Sequence, residues 1–343
     1  MLEPDPGLTV IVGPNARGKT NLLEGIQLLT EGVSFRRPSW GQVIRWGQDK
    51  AILSLDAEDG ERRREVTLEV EQPGRRSYTL NGKKKRSPAD ISREMPCVTF
   101  TPDDLSIVKD SAETRREALD AVGVQLSATY ARLKKEYERV VRQRNRLLKQ
   151  ETVDEDGLSV WDERLVSLGA RLTTHRAGLA SRISEHTTTA YAGISQDSEL
   201  QVLYVPSWQR DGVSGAVDDG AASIERHLEL KAQEERARRT TLVGPHRDDI
   251  SFLMDGRAAR EFASQGQQRS ISLAFKMAEV RVVTDVSGVR PVLLLDDVMS
   301  ELDASRRAAL AGMVGGSAQT VMTTTNLEYF TPELLESAKV VSL

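Results

Sequence analysis

The chain has 343 residues, of which 39% are hydrophobic and 29% are charged, and this length predicts a sizeable core and two domains. A formal net charge of −4 indicates no general affinity for nucleic acid, although local basic patches matter more than the sum. No apolar stretch approaches the roughly 20 residues that span a bilayer, and the start MLEPDPGLTV lacks the features of a secretion signal, so a cytoplasmic protein without a membrane segment is expected. Cys97, the single cysteine, excludes an internal disulfide and is expected to be a small buried hydrophobe.

The first motif along the chain is a phosphate-binding loop. Apolar residues 8–12 predict a short buried strand, and the next eight residues, GPNARGKT, match the pattern G-x-x-x-x-G-K-[ST]. Apolar residues then recur at helical spacing, at Leu22, Leu23, Ile26 and Leu29. A chance match to the loop pattern is not expected between a strand and a helix, so the sequence predicts a P-loop.

A P-loop predicts the binding of ATP together with Mg²⁺. Backbone amides of the loop and of the helix N-terminus would hold the β- and γ-phosphates, the ammonium of Lys19 would neutralise them, and the hydroxyl of Thr20 would ligate the cation. The predicted contacts to the nucleotide are Gly13, Pro14, Asn15, Ala16, Arg17, Gly18, Lys19 and Thr20.

A second motif, YTLNGKKKRS, places four basic residues after an Asn-Gly pair. Asn-Gly between two extended segments is typical of a hairpin turn. We predict that the cations after the turn contact DNA phosphates, with a solvated surface as the alternative. These cations are Lys83, Lys84, Lys85 and Arg86.

Residues 120–238 predict a helical arm. Apolar residues are spaced by three and four positions in two successive segments, at Leu126, Tyr130, Leu133, Tyr137, Val140 and Leu147, and at Trp161, Leu165, Leu168, Leu172 and Leu179. The acidic turn QETVDEDG lies between the segments, so the two helices are expected to form an antiparallel hairpin. A Gly/Asp-rich loop and a charged helix near residues 224–239 complete the arm.

Positive charge is concentrated on the first arm helix. Residues 130–150 contain eight basic residues against two glutamates, namely Arg132, Lys134, Lys135, Arg139, Arg142, Arg144, Arg146 and Lys149. We predict that Arg139, Arg142 and Arg146 contact the backbone of duplex DNA, because few aromatic or amide side chains accompany them to contact bases. For this helix taken alone, a solvated face is an equally good interpretation.

The segment VGPHRDD contains one histidine next to an acidic pair. A metal site is disfavoured here, because no cysteine or second histidine lies nearby to complete the ligand set. The sequence assigns no role to His246 or Arg247.

The segment FASQGQQR, residues 262–269, predicts a second anion-binding helix start. Ser264 is expected to be the N-cap of a helix that begins near Gln267, with its hydroxyl and the backbone amides around Gly266 directed at a phosphate. A plain capped helix after a turn is the alternative.

In VRPVLLLDDVMSELD, two acids end an apolar run. A buried parallel strand over residues 291–295 would deliver Asp296 and Asp297 to the sheet edge where ligands bind. Asp296 would belong to the Mg²⁺ shell, and Asp297 would polarise the attacking water, with Asp303 or the segment 323–325 as alternatives for that role. A helix cap is the competing interpretation, which the P-loop in the same chain disfavours.

In this order the motifs resemble the heads of ABC-type ATPases, including those of SMC proteins. Six segments spread over nearly the whole chain more closely resemble the RecF family: GKTNLLEGIQLLTEGVSFR, FTPDDLSIVKDSAETRREALD, LKKEYERVVRQRNRLLK, VGPHRDD, SQGQQRSISLAFKMAE and VLLLDDVMSELDASRR. The resemblance implies an α/β fold with an ABC-type P-loop ATPase head of mixed sheet and helices. Residues 1–119 and 239–343 would form the head, and residues 120–238 the inserted arm.

The resemblance also implies a composite ATP site in a homodimer. In ABC-type heads, each signature segment caps the γ-phosphate on the P-loop of the opposite subunit. Ser264, Gly266 and Gln267 would therefore contact the ATP of a partner chain. Asp303 would reach across the dimer, and the VGPHRDD segment would lie in the head sheet near the nucleotide.

The implied function is that of a slow DNA-binding ATPase in DNA replication and recombinational repair, including the SOS response to DNA damage. ATP would close the dimer on gapped duplex DNA and hydrolysis would open it, with RecO and RecR as partners that help to load RecA. An SMC-like structural DNA clamp is the alternative, which the short arm disfavours. A transporter subunit is disfavoured because the signature is not Leu-Ser-Gly-Gly-Gln.

Three features depart from the family pattern. RecF-like proteins begin with a further strand and an FRN-like turn, so about twenty residues are expected to be missing here. Either the start of the sequence was chosen too late, or this protein binds the adenine base less well. Ala16 adds a Cβ where backbone freedom is useful, while Arg17 adds charge near the phosphates. Asp297 stands where transporters have Glu. RecF-like heads share this Asp, and its shorter side chain is expected to slow hydrolysis.

Overall fold

Residues 2–36, 38–60, 62–85, 87–152, 154–195, 198–314 and 318–343 are described by the computed structural model. Arg86, one of the cations predicted to contact DNA, lies outside the described residues. The chain divides into two units, the first comprising Met1–Ser106 and Glu279–Leu343, and the second comprising Ile107–Ala278. These bounds differ from those of the arm expected at 120–238, which stays a prediction about domain organisation.

Strands dominate the first unit and helices the second. The strands are β1 (Leu8–Val12), β2 (Lys50–Asp59), β3 (Arg62–Glu71), β4 (Arg75–Leu80), β5 (Lys83–Lys85), β6 (Cys97–Phe100), β7 (Leu200–Val205), β8 (Asp249–Met254), β9 (Arg257–Ala258), β10 (Val292–Asp296), β11 (Thr320–Thr324) and β12 (Ala338–Ser342). The helices are α1 (Lys19–Thr30), α2 (Ala89–Ser92), α3 (Ala112–Leu126), α4 (Ala128–Leu148), α5 (Glu155–Ile194), α6 (Ser207–Arg210), α7 (Gly220–Arg238), α8 (Ala259–Phe262), α9 (Gln265–Ser287), α10 (Ala304–Val314) and α11 (Pro332–Glu336). Among the described residues, none of these helices is long and apolar enough to cross a membrane.

The centre of the first unit is a parallel sheet with the strand order β12-β1-β11-β10-β6. Every residue of β11 is buried, and β1 and β10 are almost entirely buried, which is typical of parallel strands covered on both faces. The register pairs Val12 with Thr324 and Asp296 with Thr323. Strands β1, β10 and β11 therefore end side by side at one edge of the sheet.

Helix α1 packs against this sheet. Leu23 of α1 joins a buried cluster with Ile11, Leu294 and Val321 of three neighbouring strands, and Cys97 belongs to the same cluster. Cys97 is fully buried, and burial raises the pKa of its thiol well above the usual value. The prediction that this cysteine is a small buried hydrophobe is confirmed.

A second sheet in the first unit is antiparallel, with the order β2-β3-β4-β5. Asn81 and Gly82 both have positive φ, 50° and 71°, and join β4 to β5, which confirms the predicted hairpin turn. Successive side chains on a strand point to opposite faces, so Lys84 lies on one face and Lys83 and Lys85 on the other. These lysines therefore do not form one continuous surface.

In the second unit, the long helices α4 and α5 pack against each other and against α7. A short connection joins α4 to α5, which confirms the predicted antiparallel hairpin, and α7 is the predicted charged helix. Their shared core contains Tyr130, Leu133, Tyr137 and Val140 of α4, Leu165, Val166 and Leu172 of α5, and Ile224 and Leu228 of α7. The unit also contains a three-stranded antiparallel sheet with the order β7-β8-β9.

Arg144 interrupts the apolar spacing of α4 because it is the centre of a buried ion network. Its guanidinium donates to Asp162 Oδ1 at 2.5 Å, to Glu235 Oε2 at 2.6 Å and to Thr241 Oγ1 at 3.1 Å. Lys134 pairs with neighbouring acids in a similar way. Two of the eight cations counted in this segment are therefore paired with acids, and neither is among the three arginines predicted to contact DNA.

Candidate functional site

The loop between β1 and α1 follows a tightly constrained path. Ala16 and Gly18 have φ values of 64° and 92°, a left-handed region that glycine adopts freely and alanine does not. A Cβ at Gly13 would lie 2.7 Å from the carbonyl oxygen of Leu343, so this position has no room for a side chain. The loop leads into α1 at Lys19, and the first amides of a helix have no intrahelical acceptor. This arrangement is suited to an anion.

The ammonium of Lys19 is held inside the loop. Its Nζ donates to the carbonyl oxygens of Gly13 at 2.6 Å and Pro14 at 2.8 Å. Only 6% of the residue is exposed. Because an ammonium has three N–H donors, one remains for a phosphate oxygen.

At the end of β10, Asp296 lies next to the start of α1. Its Oδ1 accepts hydrogen bonds from Thr20 Oγ1 at 3.1 Å and from Thr323 Oγ1 at 2.7 Å. Since Thr20 donates its single hydroxyl proton to this carboxylate, its lone pairs remain available to a further ligand. The structure thus brings together the two residues predicted to hold the metal.

This pair of oxygen ligands fits Mg²⁺. The cation is usually held by one or two carboxylates together with substrate phosphates and water, and it prefers oxygen ligands. No group of three or more His, Cys, Asp or Glu forms a metal cluster in the described ranges. Thr20 and Asp296 would therefore share the cation with the phosphates of a nucleotide.

Asp297 has an unusual conformation and an unpaired oxygen. Its φ is 51°, and its amide donates to the carbonyl and hydroxyl oxygens of Thr323 at 3.2 and 3.0 Å. Its buried Oδ1 has no hydrogen-bond partner within the part of the chain that the structure describes. Burial raises the pKa of this carboxyl, while the Thr325 backbone and Lys19 oppose the rise and Asp296 adds to it. A buried, unsatisfied acceptor beside a phosphate loop is a candidate for binding the attacking water.

The predicted signature segment begins a helix in the second unit. Helix α9 starts at Gln265, two residues before the predicted position. Ser264 Oγ accepts from the amide of Gln267 at 3.2 Å, and Gln267 Oε1 accepts from the amide of Ser264 at 2.9 Å, which is a capping box. Ser264 is exposed, and Gly266 follows in the first turn. The N-cap geometry is present, and the contact with a phosphate stays a prediction.

Exposed cations form a continuous stripe along α4, ending at its C-cap residue. They recur at intervals of three and four residues, extend over about 25 Å at a rise of 1.5 Å per residue, and are Arg132, Lys135, Arg139, Arg142, Arg146 and Lys149. Within the described ranges, none of the six forms an ion pair with another residue. The three arginines predicted to contact DNA thus lie on one face of one helix.

Known proteins similar to this chain point to one family. Residues 1–339 match the family described as the RecF/RecN/SMC N terminal domain. The DNA replication and repair protein RecF of Symbiobacterium thermophilum is 41% identical over 335 residues, which cover 94% of this chain and 86% of that protein. The chain belongs to the RecF family.

Other RecF proteins and related heads agree with this assignment. RecF of Heliobacterium modesticaldum is 37% identical over 346 residues, covering 98% of this chain and 91% of that protein. A solved structure of the recombination mediator protein RecF-ATPrS in the RecFOR pathway superposes with a TM-score of 0.86 at 30% identity, covering 96% and 89% of the two chains. The Smc head domain of Pyrococcus furiosus, with a TM-score of 0.52, 15% identity and coverage of 98% and 86%, shares the fold. The predicted family and ABC-type head fold are confirmed.

The RecF resemblance places His246 and Arg247 in the head sheet, and this prediction is wrong. Both lie in a short 3-10 turn of the second unit, Pro245–Arg247. His246 Nε2 contacts the carbonyl oxygen of Thr241 at 3.1 Å, and Nδ1 contacts the hydroxyl of Tyr137 at 2.7 Å. Burial lowers the pKa of His246 to about 3, so the ring is neutral, with Nε2 donating and Nδ1 accepting. The side chain therefore packs against the arm helix α4.

Asp303, which follows the acid-ended strand, caps helix α10. Its Oδ1 accepts from the amide of Arg306 at 3.0 Å, and its carboxylate pairs with the guanidinium of the same residue. The side chain is 55% exposed. Contact between Asp303 and a partner chain stays a prediction about the RecF dimer.

Thr323 is the residue that the sequence only hints at. The segment 323–325 is an alternative source of the catalytic group, and the sequence gives no reason to prefer one of its threonines. The structure brings Thr323 into contact with both acids, because β11 lies next to β10. The sequence can predict that a polar residue at the end of a strand lies at the ligand-binding edge of the sheet. It does not predict that β11, which carries Thr323, lies next to β10, because this depends on the sheet topology.

Proposed function

We propose that this chain is a DNA-binding ATPase that acts in DNA replication and recombinational repair. Its curated RecF relatives are named for DNA replication and repair, and one solved relative is described as RecF-ATP. The observation that carries the proposal is the 3.1 Å contact between Thr20 Oγ1 and Asp296 Oδ1. This contact places Thr20 of the P-loop motif next to Asp296 at the end of β10, so the two side chains could hold one cation together.

In this proposal residues 13–20 hold the phosphates of ATP. Lys19 neutralises the β- and γ-phosphates, and Thr20 and Asp296 hold Mg²⁺, which when bound supplies further positive charge to the phosphates. Asp297 positions the attacking water through its unpaired Oδ1. The short side chain of Asp297 is the basis for expecting slow turnover.

Replacement of Lys19 by methionine tests ATP binding directly. Lys19→Met removes a charged donor from the centre of the loop, so affinity for ATP should fall by about 100-fold. The exposed Lys109→Met variant is a matched control and should bind ATP normally. Wild-type affinity in Lys19→Met, measured by calorimetry, would refute the P-loop assignment.

The proposed enzyme works as an ATP-dependent homodimer. Ser264, Gly266 and Gln267 would cap the γ-phosphate on the opposite chain. Ser264 Oγ accepts from the amide of Gln267 and keeps its own proton to donate to a phosphate. Ser264→Arg should therefore retain ATP binding and lose ATP-dependent dimerisation. A mixture of Ser264→Arg and Lys19→Met chains can assemble one intact composite site, so partial recovery of ATPase activity is expected. Normal dimerisation of Ser264→Arg with ATP would exclude capping in trans.

Duplex DNA is the proposed ligand of the α4 stripe. The six cations have no ion-pair partner among the described residues, and their row of positive charge suits a phosphate backbone. Contacts to phosphates carry no direct information on base sequence. Lys83, Lys84 and Lys85 are retained as predicted DNA contacts, although the strand directs them to two faces. Gapped DNA is the proposed substrate by family resemblance.

The salt dependence of DNA binding tests the stripe. Charge reversal to Glu at Arg139, Arg142 and Arg146 should weaken binding for every sequence and reduce the salt slope by up to about 2.7, or 0.9 per phosphate contact. The matched control reverses three exposed arginines that are not assigned to DNA, Arg45, Arg182 and Arg260, and should keep the wild-type slope. A wild-type slope in the variant of Arg139, Arg142 and Arg146 would identify the α4 stripe as an ordinary solvated face.

Family resemblance supplies the proposed setting. The chain would act in the cytoplasm with RecO and RecR during the response to DNA damage, helping to load RecA. An SMC-like clamp has less support, because the solved Smc heads are 15% identical and share the fold alone. Sedimentation with ATP and gapped DNA distinguishes a nucleotide-timed dimer from a permanent clamp.

A further inference from the structure

One buried hydroxyl joins the two acids at the end of β10. Thr323 Oγ1 donates to Asp296 Oδ1 at 2.7 Å and accepts from the amide of Asp297 at 3.0 Å. Thr323 is 1% exposed and lies opposite Asp296 in the register of the parallel sheet. A hydroxyl has one proton and two lone pairs, so a single threonine can make both contacts at once.

The bond to Asp296 restricts the orientation of its carboxylate. Thr323 and Thr20 both donate to the same oxygen, Oδ1, from a strand and from the start of a helix. Two donors that converge on one oxygen limit rotation of the carboxylate about its last bond. Among the described residues, removal of the Thr323 hydroxyl leaves Thr20 as the hydroxyl donor to Oδ1, at the longer distance of 3.1 Å.

The bond to Asp297 supports a backbone conformation that is unfavourable for this residue. A left-handed φ of 51° persists in a non-glycine residue where its surroundings hold it in place. The amide of Asp297 donates to both the hydroxyl and the carbonyl oxygen of Thr323. The direction of the carboxylate with the unpaired Oδ1 thus depends on the same threonine.

We propose that Thr323 is a positioning residue that orients both acids, Asp296 toward the cation of MgATP and Asp297 toward the attacking water. This inference rests on the proposed ATPase function. Thr323 acts through the two carboxylates and is assigned no contact with the phosphates. Residues that orient metal ligands typically change metal affinity or activity by 10- to 100-fold when they are replaced.

A titration of Mg²⁺ tests the inference without relying on turnover. Binding of a fluorescent, non-hydrolysable ATP analogue is measured at increasing Mg²⁺ for wild type, Thr323→Val and Thr320→Val. Thr320 is a matched control, because it is a fully buried threonine of the same strand whose hydroxyl contacts the Ala318 carbonyl. Thr323→Val should require about 10-fold more Mg²⁺ for half-maximal binding, with unchanged analogue affinity in EDTA. Thr320→Val should behave as wild type.

Two smaller substitutions keep the test decisive if Thr323→Val folds poorly. Thr323→Ser and Thr323→Ala differ by a single oxygen, so Ser should restore the Mg²⁺ dependence and kcat while Ala should not. The loss in Ala should appear in kcat more than in KM. Equal Mg²⁺ curves for Ser and Ala would overturn the inference and leave the ATPase proposal intact. Binding by wild type that is indifferent to Mg²⁺ would overturn the ATPase proposal, and this inference with it.

Discussion

Two Asp-Asp pairs that directly adjoin strands look alike in sequence and differ completely in their surroundings. Asp248 and Asp249 lie at the start of a strand of the second unit, whereas Asp296 and Asp297 lie at the end of a strand of the first unit. The first pair is fully engaged by protein donors. The second pair keeps a buried oxygen without a partner among the described residues.

The pair at Asp248 and Asp249 holds its unit together. Asp248 is completely buried and accepts from the hydroxyl of Tyr204 and from the amide of Ser207, the latter at 2.7 Å. Asp249 receives two bonds from the guanidinium of Arg115, at 2.8 and 3.0 Å. Buried carboxylates that are satisfied in this way fix the elements that supply the donors.

The pair at Asp296 and Asp297, proposed to act on a ligand, has different surroundings. Asp296 receives hydroxyl protons that leave the lone pairs of Thr20 available, and Asp297 has an unpaired Oδ1 in a left-handed backbone. Structures tolerate such features mainly at functional sites. The number of donors around each acid, not the presence of the dipeptide, therefore separates a structural pair from a functional one.

Asp297→Asn should have the largest effect of these substitutions, and the effect should be on ATP turnover. The amide keeps the size of the side chain and removes the carboxylate that would position water, so ATP turnover should fall by about 100- to 1,000-fold. ATP binding and ATP-dependent dimerisation should persist, because other residues hold the phosphates. Steady-state ATPase assays and sedimentation measure the two effects. Unchanged turnover would transfer the catalytic role to another residue.

Asp248→Asn should produce the opposite result. An amide cannot accept from all the donors around Asp248 and adds donors of its own, so the free energy of unfolding should fall by about 3 kcal/mol. Urea denaturation of this variant is compared with that of Asp297→Asn. Asp297 Oδ1 has no hydrogen-bond partner among the described residues, so Asp297→Asn should lower the free energy of unfolding only slightly. A loss below about 0.5 kcal/mol in Asp248→Asn would remove the structural role from this pair.

The pH dependence of stability should sharpen the contrast further. The pKa of His246, next to the structural pair, is lowered from its ordinary 6.5 to about 3 by burial. At a pH between 3 and 6.5, His246 is protonated in the unfolded chain and neutral in the folded one. The contribution of His246 to the free energy of unfolding is therefore present above pH 6.5 and is lost as the pH falls. From pH 7 to pH 5 the loss should be about 2 kcal/mol. His246→Gln should flatten the profile, which urea denaturation at pH 5 and pH 7 would measure.

The smallest expected effect concerns the loop that faces the functional pair. Ala16 has a φ of 64°, which glycine adopts without strain. Ala16→Gly should therefore not lower the free energy of unfolding, and any increase should be at most about 1 kcal/mol. Ala308→Gly, in the exposed middle of α10, should instead lower it by about 1 kcal/mol. Thermal unfolding of the two variants gives the comparison. Equal losses would show that Ala16 carries no strain.

The position of Asp296 and Asp297, the pair proposed to be functional, is predictable because it follows local rules. A P-loop joins a strand to a helix, and an acid-ended apolar run identifies a buried parallel strand, so Lys19, Thr20 and Asp296 are expected near one sheet edge. The register confirms that these strands end together. The apolar spacing of three and four residues in the arm is also sufficient to predict the hairpin of α4 and α5.

The remaining features depend on neighbours that a sequence pattern does not specify. Arg144 has the same appearance as the exposed cations of α4, yet acids from α5 and α7 bury it. The position of His246 is not predictable, because its partner Tyr137 lies 109 positions away in the chain. The run from Lys83 to Lys85 reads as one patch in the sequence, although strand geometry separates it into two faces.

The burial of Cys97 has a consequence for how two copies of the chain can associate. Its thiol is the only one in the sequence, is fully buried and has a raised pKa, so little reactive thiolate exists near neutral pH. Oxidants therefore find no accessible sulfur with which to link two folded chains covalently. Any dimer of this chain would therefore be held together without a disulfide between the two copies.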